Sequence, residues 1–125
     1  EIYKLGMSNR KIAEEIMAKG YSDRYVTCDS AEPKSIADLR DSGIAAKACY
    51  KAPGCVEYRI KWMQHRKIVI DPRRTPNAHR EFTRYSYAVD RNGVVLSQLV
   101  DKDNHSIDAT AYALSQVIFS RASIA

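Results

Sequence analysis

Apolar and polar positions alternate in short blocks that read in turn as helix and strand. Ile12, Ala13, Ile16 and Met17 share one face of a helix that Ser8 or Asn9 can cap and Gly20 can stop. Tyr25 to Cys28 is a β-prone run that ends at Asp29, and a loop, Ser30-Ala31-Glu32, follows. Pro33 suits the first turn of a helix that carries Ile36, Ala37 and Leu39 and ends at Gly43. Ile44 to Tyr50 predicts another strand. Beyond the Pro53-Gly54 break, Cys55 to His65 has helical spacing, with Val56, Ile60 and Met63 on one side and Tyr58 and Trp62 beside them. Tyr58, Trp62 and Met63 are expected in the core, not as a platform for stacking bases.

The second half repeats the alternation. Glu1 to Leu5 reads as the end of a strand, and Lys67 to Ile70 as a strand closed by Asp71-Pro72. Pro76 opens a helix toward Phe82 and Tyr85. Asp90-Arg91-Asn92-Gly93 separates two alternating runs, and Asn-Gly is a strong hairpin signal because both turn positions need a positive φ. A last helix over 107–119 places Ile107, Ala111, Leu114 and Ile118 on one face. Strands that alternate with helices predict an α/β fold, and the hairpin adds an antiparallel part, so the expected sheet is mixed and flanked by helices.

Composition narrows the class without naming a function. With 125 residues the chain has the size of one compact domain, and its 45% apolar and 28% charged residues are an ordinary globular mixture. No apolar run approaches the roughly 18 residues of a membrane span, and Glu1-Ile2-Tyr3-Lys4 has no signal-peptide pattern. Cys28, Cys49 and Cys55 are odd in number and form no C-x-x-C pair, so reduced thiols are expected and not a zinc site. A formal charge of +5 favours a polyanionic partner such as nucleic acid, although a merely basic surface has the same composition.

Two acidic places stand out. Asp29 sits between a strand and a helix, at the carboxyl end of a sheet strand, where α/β folds build their sites. The segment Asp101-Lys102-Asp103-Asn104-His105-Ser106-Ile107-Asp108 opens the last helix, which places His105 and Asp108 on one face about a turn apart. Carboxylates brought together from separate elements suit Mg²⁺, which takes hard oxygen ligands and keeps several waters. The same residues would also serve as ordinary helix caps, since acidic groups favour a helix N-terminus. Position alone leaves both readings open.

These segments carry a resemblance. Asp29 to Ile36 is similar to the D-S-A-E-P-K-S-I stretch of the nuclease domains of tailed-phage terminase large subunits. Asp103-Asn104-His105-Ser106-Ile107-Asp108-Ala109, with Tyr112-Ala113-Leu114, resembles their D-N-H-x-I-D-A…Y-A-L stretch. Val56-Glu57-Tyr58 with Ile60 and Gln64 is similar to their S-V-E-Y-G-I helix, and Tyr85, Asn92-Gly93 and Val100-Asp101-Lys102-Asp103 agree in order. The resemblance covers essentially the whole chain.

The resemblance implies a ribonuclease H-like fold and a nuclease that cuts concatemeric double-stranded phage DNA during packaging. It implies Mg²⁺ or Mn²⁺ in a two-metal site built on three acidic positions. Asp29 matches the second and Asp108 the third, while His105 matches a histidine beside the third and is placed to orient water or phosphate or to shuttle a proton. Asp103 and Glu32 are expected as ligands or supporting groups. Lys34, Lys51 and Arg59, with Lys47 and Lys61, are candidates for DNA phosphate contacts. The first acidic position lies on a strand ahead of residue 1, so residues 1–125 are expected to be one N-terminally incomplete nuclease domain, inactive or weakly active unless extended upstream. Neither Glu1 nor Glu32 matches that position. No G-x-x-x-x-G-K is present, so the ATPase motor is expected elsewhere in the same polypeptide. The implied partners are that motor, the terminase small subunit and the portal protein, in the cytoplasm of a bacterial host. The alternatives are a non-catalytic prophage remnant that binds DNA or packaging proteins, and another ribonuclease H-like nuclease such as a junction resolvase, which the D-S-A-E-P-K-S stretch disfavours.

Overall fold

A computed structural model describes residues 1–120. The chain divides into two units. One is Ile2–Lys67 with Ala109–Ala125, and the other is Glu1 with Ile68–Asp108.

The first unit is built on a βαβ turn. Helix α1 (Asn9–Ala18) starts at Ser8, whose hydroxyl accepts the Lys11 amide, the capping bond expected of that residue. Strand β1 (Tyr25–Cys28), helix α2 (Pro33–Asp41) and strand β2 (Ala45–Ala48) follow. The two strands pair in parallel, with Tyr25 opposite Ala45 and Cys28 opposite Ala48. One bond extends beyond the ladder, from the Cys49 amide to the Cys28 carbonyl at 2.8 Å. Ala13, Ile36, Leu39, Ile44 and Ala46 form the core, with Ile12, Ile16, Val26 and Cys28 packed against it. Polar bonds lock this packing: Asn9 Nδ2 donates to Asp38 Oδ2 at 3.0 Å, and Arg40 Nε donates to the Ala46 carbonyl at 2.7 Å. Gly43 turns α2 into β2 at φ +90°, a conformation that L side chains rarely adopt.

Helix α3 (Cys55–Gln64) buries Cys55, Arg59, Ile60 and Met63. This face is rotated from the one the apolar pattern predicts. Val56 is exposed, and Arg59 takes a core position at 3% exposure. Of the three side chains expected inside, Met63 is buried and Trp62 is half-buried under Arg66, whereas Tyr58 is exposed on one side and stacks on Phe119 at 5.3 Å. Tyr50 meets the same ring edge-on at 5.2 Å. The last helix is two pieces, α5 (His105–Ala113) and α6 (Ser115–Ile118), with Leu114 between them. The bonds Leu114 N–H to Thr110 O and Ile118 N–H to Leu114 O bridge the break. The three cysteines are free thiols, as expected, and burial pushes the Cys28 thiol up.

The second unit holds helix α4 (Pro76–Arg84), the hairpin strands β3 (Tyr87–Val89) and β4 (Val95–Leu99), and the first turn of α5. The hairpin is antiparallel, with Tyr87 opposite Leu99 and Val89 opposite Val95 and an irregular register between. Asp90 ties its turn by accepting the Asn92 and Val94 amides at 2.8 and 2.9 Å, and Gly93 takes φ +80°. Carboxylates serve two helix starts here. Glu1 accepts the Asn77 and Ala78 amides at the N-terminus of α4. Burial pulls its pKa upward, but these amides outweigh that effect and hold it below the usual range. Glu81, only 1% exposed, accepts the Ser106 amide at the start of α5 with both oxygens, at 2.9 and 3.2 Å.

The expected α/β fold with parallel and antiparallel pairing is present, but among the described residues the pairing forms two separate two-stranded ladders and not one mixed sheet. The β-prone segments 1–5 and 67–70 form no ladder, and Leu5, Ile68 and Val69 are exposed. Apolar content gives a segment β propensity, but a strand also needs a neighbour for its amides and carbonyls.

Glu81 gives the sharpest test of this packing. Glu81→Ala should lower the urea-unfolding free energy by about 1–3 kcal/mol, the range for losing a hydrogen bond to a charged group. Glu81→Gln keeps an acceptor for Ser106 and should cost clearly less. Equal losses in the two variants would show that the Ser106 bond is not what Glu81 contributes.

Candidate functional site

Asp29 is placed by the ladder. It is the first residue beyond β1, and its half-exposed side chain bends back so that Oδ1 accepts the Ala31 amide at 3.0 Å. Lys51, just beyond β2, donates to the same oxygen at 2.5 Å. Oδ2 has no protein partner among the described residues. The lysine bond and the Ala31 amide outweigh partial burial, and with the charges of Lys51 and Arg59 they hold the Asp29 carboxyl below its usual range. The same bond raises Lys51.

Two side chains stand beside this pair. Tyr112, in the part of α5 that belongs to the same unit, offers its ring face to Lys51 Nζ at 5.5 Å and to the Arg59 guanidinium at 5.1 Å. Arg59 Nη1 is buried and makes no hydrogen bond among the described residues. Expected as a DNA contact, Arg59 instead lies inside the unit, where its charge acts on Asp29 and its plane on Tyr112. Periodicity could not reveal this, because a sequence reading assigns arginine to the surface by default.

Of the other candidates in this unit, Glu32 precedes α2 and makes no capping bond with its side chain. It is exposed, as are Lys34 on α2 and Lys61 on α3. Lys47 lies over the Tyr25 ring at 4.8 Å.

His105, Asp108 and Asp103 belong to the other unit. His105 and Asp108 occupy the first turn of α5, as their spacing predicts, and the Asp108 amide donates to Asn104 O at 2.8 Å. Asp103 adopts φ +50°, a left-handed conformation that aspartate tolerates better than most residues. Burial raises the Tyr85 hydroxyl, a bond with Asn104 opposes the rise, and the charges of Asp108 and Asp101 add to it. A cavity of about 140 Å³ beside Asp103 is lined by Arg80, Arg84 and Lys102 together with Glu81 and Tyr85.

The donor chemistry suits a hard divalent cation. Asp29 presents an open carboxylate oxygen at a strand end, and the first turn of α5 presents Asp108 with His105. Among the described residues, however, no group of three His, Cys, Asp or Glu side chains could hold a metal ion.

Charge is divided unequally. The unit that holds Asp29 has fourteen Lys and Arg against eight Asp and Glu, and the other has six against seven. The whole positive excess therefore lies in the unit with the Asp29–Lys51 pair. No described helix is long and apolar enough to cross a membrane.

The chain is similar in sequence and fold to known proteins. The chain is 40% identical over 113 residues to the terminase large subunit of Bacillus phage SPP1, covering 88% of this chain and 27% of that protein. It is 32% identical over 115 residues to the PBSX phage terminase large subunit of Bacillus subtilis strain 168, covering 91% and 26%. It thus spans about a quarter of the length of these relatives. The fold matches the crystal structure of the SPP1 g2p large terminase nuclease domain with bound Mn, at a TM-score of 0.85 and 36% identity, over 93% of this chain and 67% of that one. A family model described as the terminase RNAseH like domain matches residues 1–116, and with these relatives it shows that the chain belongs to that family.

Proposed function

We propose that this chain is the DNA-cutting part of a phage terminase large subunit, a divalent-metal-dependent endonuclease acting on concatemeric double-stranded DNA during packaging. The observation that carries the reading is Asp29: a carboxylate at a strand end, with one oxygen fixed and the other open, in the unit that holds the whole positive excess. The Mn in the SPP1 nuclease domain supports Mn²⁺ or Mg²⁺ as the cofactor. Once bound, a pair of such ions supplies a hydroxide nucleophile and stabilises the leaving oxygen.

The chain's own residues have separable roles in this reading. Asp29 and Asp108 are the metal carboxylates. His105, one turn from Asp108, orients a water or phosphate or moves a proton. Asp103 and Glu32 support the carboxylates, as ligands or through water. Lys34 binds backbone phosphate in a sequence-independent way, which suits cutting DNA of varied sequence. The ATPase of the same polypeptide, the small subunit and the portal are the proposed partners, in the bacterial cytoplasm. With Asp29 and Asp108 as its metal carboxylates and water in the remaining positions, the 125-residue chain should hold metal loosely and cut slowly.

Two results are expected. Supercoiled plasmid should be nicked slowly in Mn²⁺ and not in EDTA. Asp29→Asn and Asp108→Asn should each slow nicking on the order of 100-fold, as misplacement of reacting groups does, with circular dichroism unchanged. Full activity in either variant removes that residue from the site. Separately, binding to a labelled duplex should be insensitive to sequence and should fall steeply between low and high salt. Affinity that salt does not change would mean the positive excess plays no part in binding.

A further inference from the structure

Lys51 Nζ is bonded to Asp29 Oδ1 and lies over the Tyr112 ring, and the buried Arg59 shares that ring with one nitrogen unpaired. The Lys51 side chain is 38% exposed and its only anionic partner among the described residues is Asp29. Arg59, at 3% exposure, has no such freedom. The cluster therefore contains one fixed cation and one cation on a flexible stem, both beside a single carboxylate.

We infer that Lys51 is an exchangeable counter-cation, which holds Asp29 while no metal is bound and passes to a backbone phosphate of the DNA when a divalent ion takes the carboxylate. The inference rests on the reading of Asp29 as a metal ligand and adds a second role to that site.

Charge and reach both favour this exchange. A divalent ion on Asp29 with Lys51 still 2.5 Å from Oδ1 would put two cations on one carboxylate, while Arg59 stays in place behind them. Like charges at that distance repel, and of the two protein cations only Lys51 can move away, since a lysine has a flexible four-carbon stem and Lys51 reaches solvent. In the proposed function the anion that arrives at the metal-loaded site is a backbone phosphate of the DNA. A lysine suits that contact because phosphate accepts from a point charge without needing a planar fork. Tyr112 gives the ammonium a surface to move along, since the ring attracts a cation at several positions on its face. Arg59 can neither follow nor substitute, because its guanidinium is enclosed.

The exchange predicts effects of opposite sign from one substitution, which simple unfolding cannot produce. The 125-residue chain is titrated with Mn²⁺ alone, read by the electron paramagnetic resonance of the free ion. Duplex affinity is read by fluorescence anisotropy in EDTA and in Mn²⁺. Lys51→Met should bind Mn²⁺ about two- to fivefold more tightly than the unaltered chain, the range that loss of an exposed ion pair carries. In Mn²⁺ its duplex affinity should fall, with a salt slope smaller by about one phosphate contact. In EDTA its duplex affinity should be nearly unchanged, because there Lys51 is engaged by Asp29. Lys51→Arg should restore the Mn²⁺-dependent DNA contact in part. Unchanged Mn²⁺ affinity in Lys51→Met, with Asp29→Asn still abolishing Mn²⁺ binding, overturns the exchange and leaves the metal reading standing. Equal losses of DNA affinity in EDTA and in Mn²⁺ also overturn it, since Lys51 would then be a permanent phosphate contact. If Asp29→Asn leaves Mn²⁺ binding intact, the metal reading fails and the exchange fails with it.

Discussion

The parallel ladder between β1 and β2 governs the candidate site. Four residue pairs run from Tyr25 and Ala45 to Cys28 and Ala48, and the Cys49-to-Cys28 bond carries the pairing one step further. Register is a discrete property: a slip of one residue would turn every side chain of a strand to the other face. Ile44 and Ala46 are buried and Ala45 is not, so the core admits one register, and that register brings the chain out of both strands at the same level. Asp29 and Lys51 are then neighbours although 22 residues separate them. The ion pair is thus a product of packing, and its own contribution to stability is small because both groups reach solvent.

The helices use carboxylates in a different way. Glu81 is enclosed and gives both oxygens to one amide at the start of α5, the helix whose first turn carries His105 and Asp108. Glu1 serves α4 from an exposed position, with one oxygen on the Asn77 amide and the other on the Ala78 amide. A carboxylate here can orient backbone or keep an oxygen open. Asp29 does both, with one oxygen fixed by Ala31 and Lys51 and the other open.

Much of this was legible in the sequence. The positions of α1 to α4, β1, β2 and the Asn-Gly hairpin follow from periodicity, proline, glycine and capping residues, because these signals act within a few residues. The family was legible from Asp29–Ile36 and Asp103–Ala109, motifs that stand in the family's order along the chain. What escaped depended on contacts distant in sequence. Ile68 and Val69 have strand-forming side chains but no ladder partner, so they remain irregular and exposed. Arg59 is inside because α3 is rotated from its apolar stripe, a rotation fixed by its neighbours and not by the helix itself. Tyr58 faces outward for the same reason and finds Phe119. The Asp29–Lys51 pair was not anticipated, because nothing local links position 29 with position 51.

The enclosed guanidinium of Arg59 gives the protein an internal spectroscopic reporter. Its Nη1 protons are shut off from water and have no hydrogen-bond acceptor among the described residues, and its carbon lies 5.1 Å from the centre of the Tyr112 ring. Protons so placed exchange slowly with solvent and feel the ring current, so their resonances should stand apart from those of the exposed arginines. Any event that moves Tyr112 or changes the charge on Asp29 would register in that one signal, without a label and without catalysis.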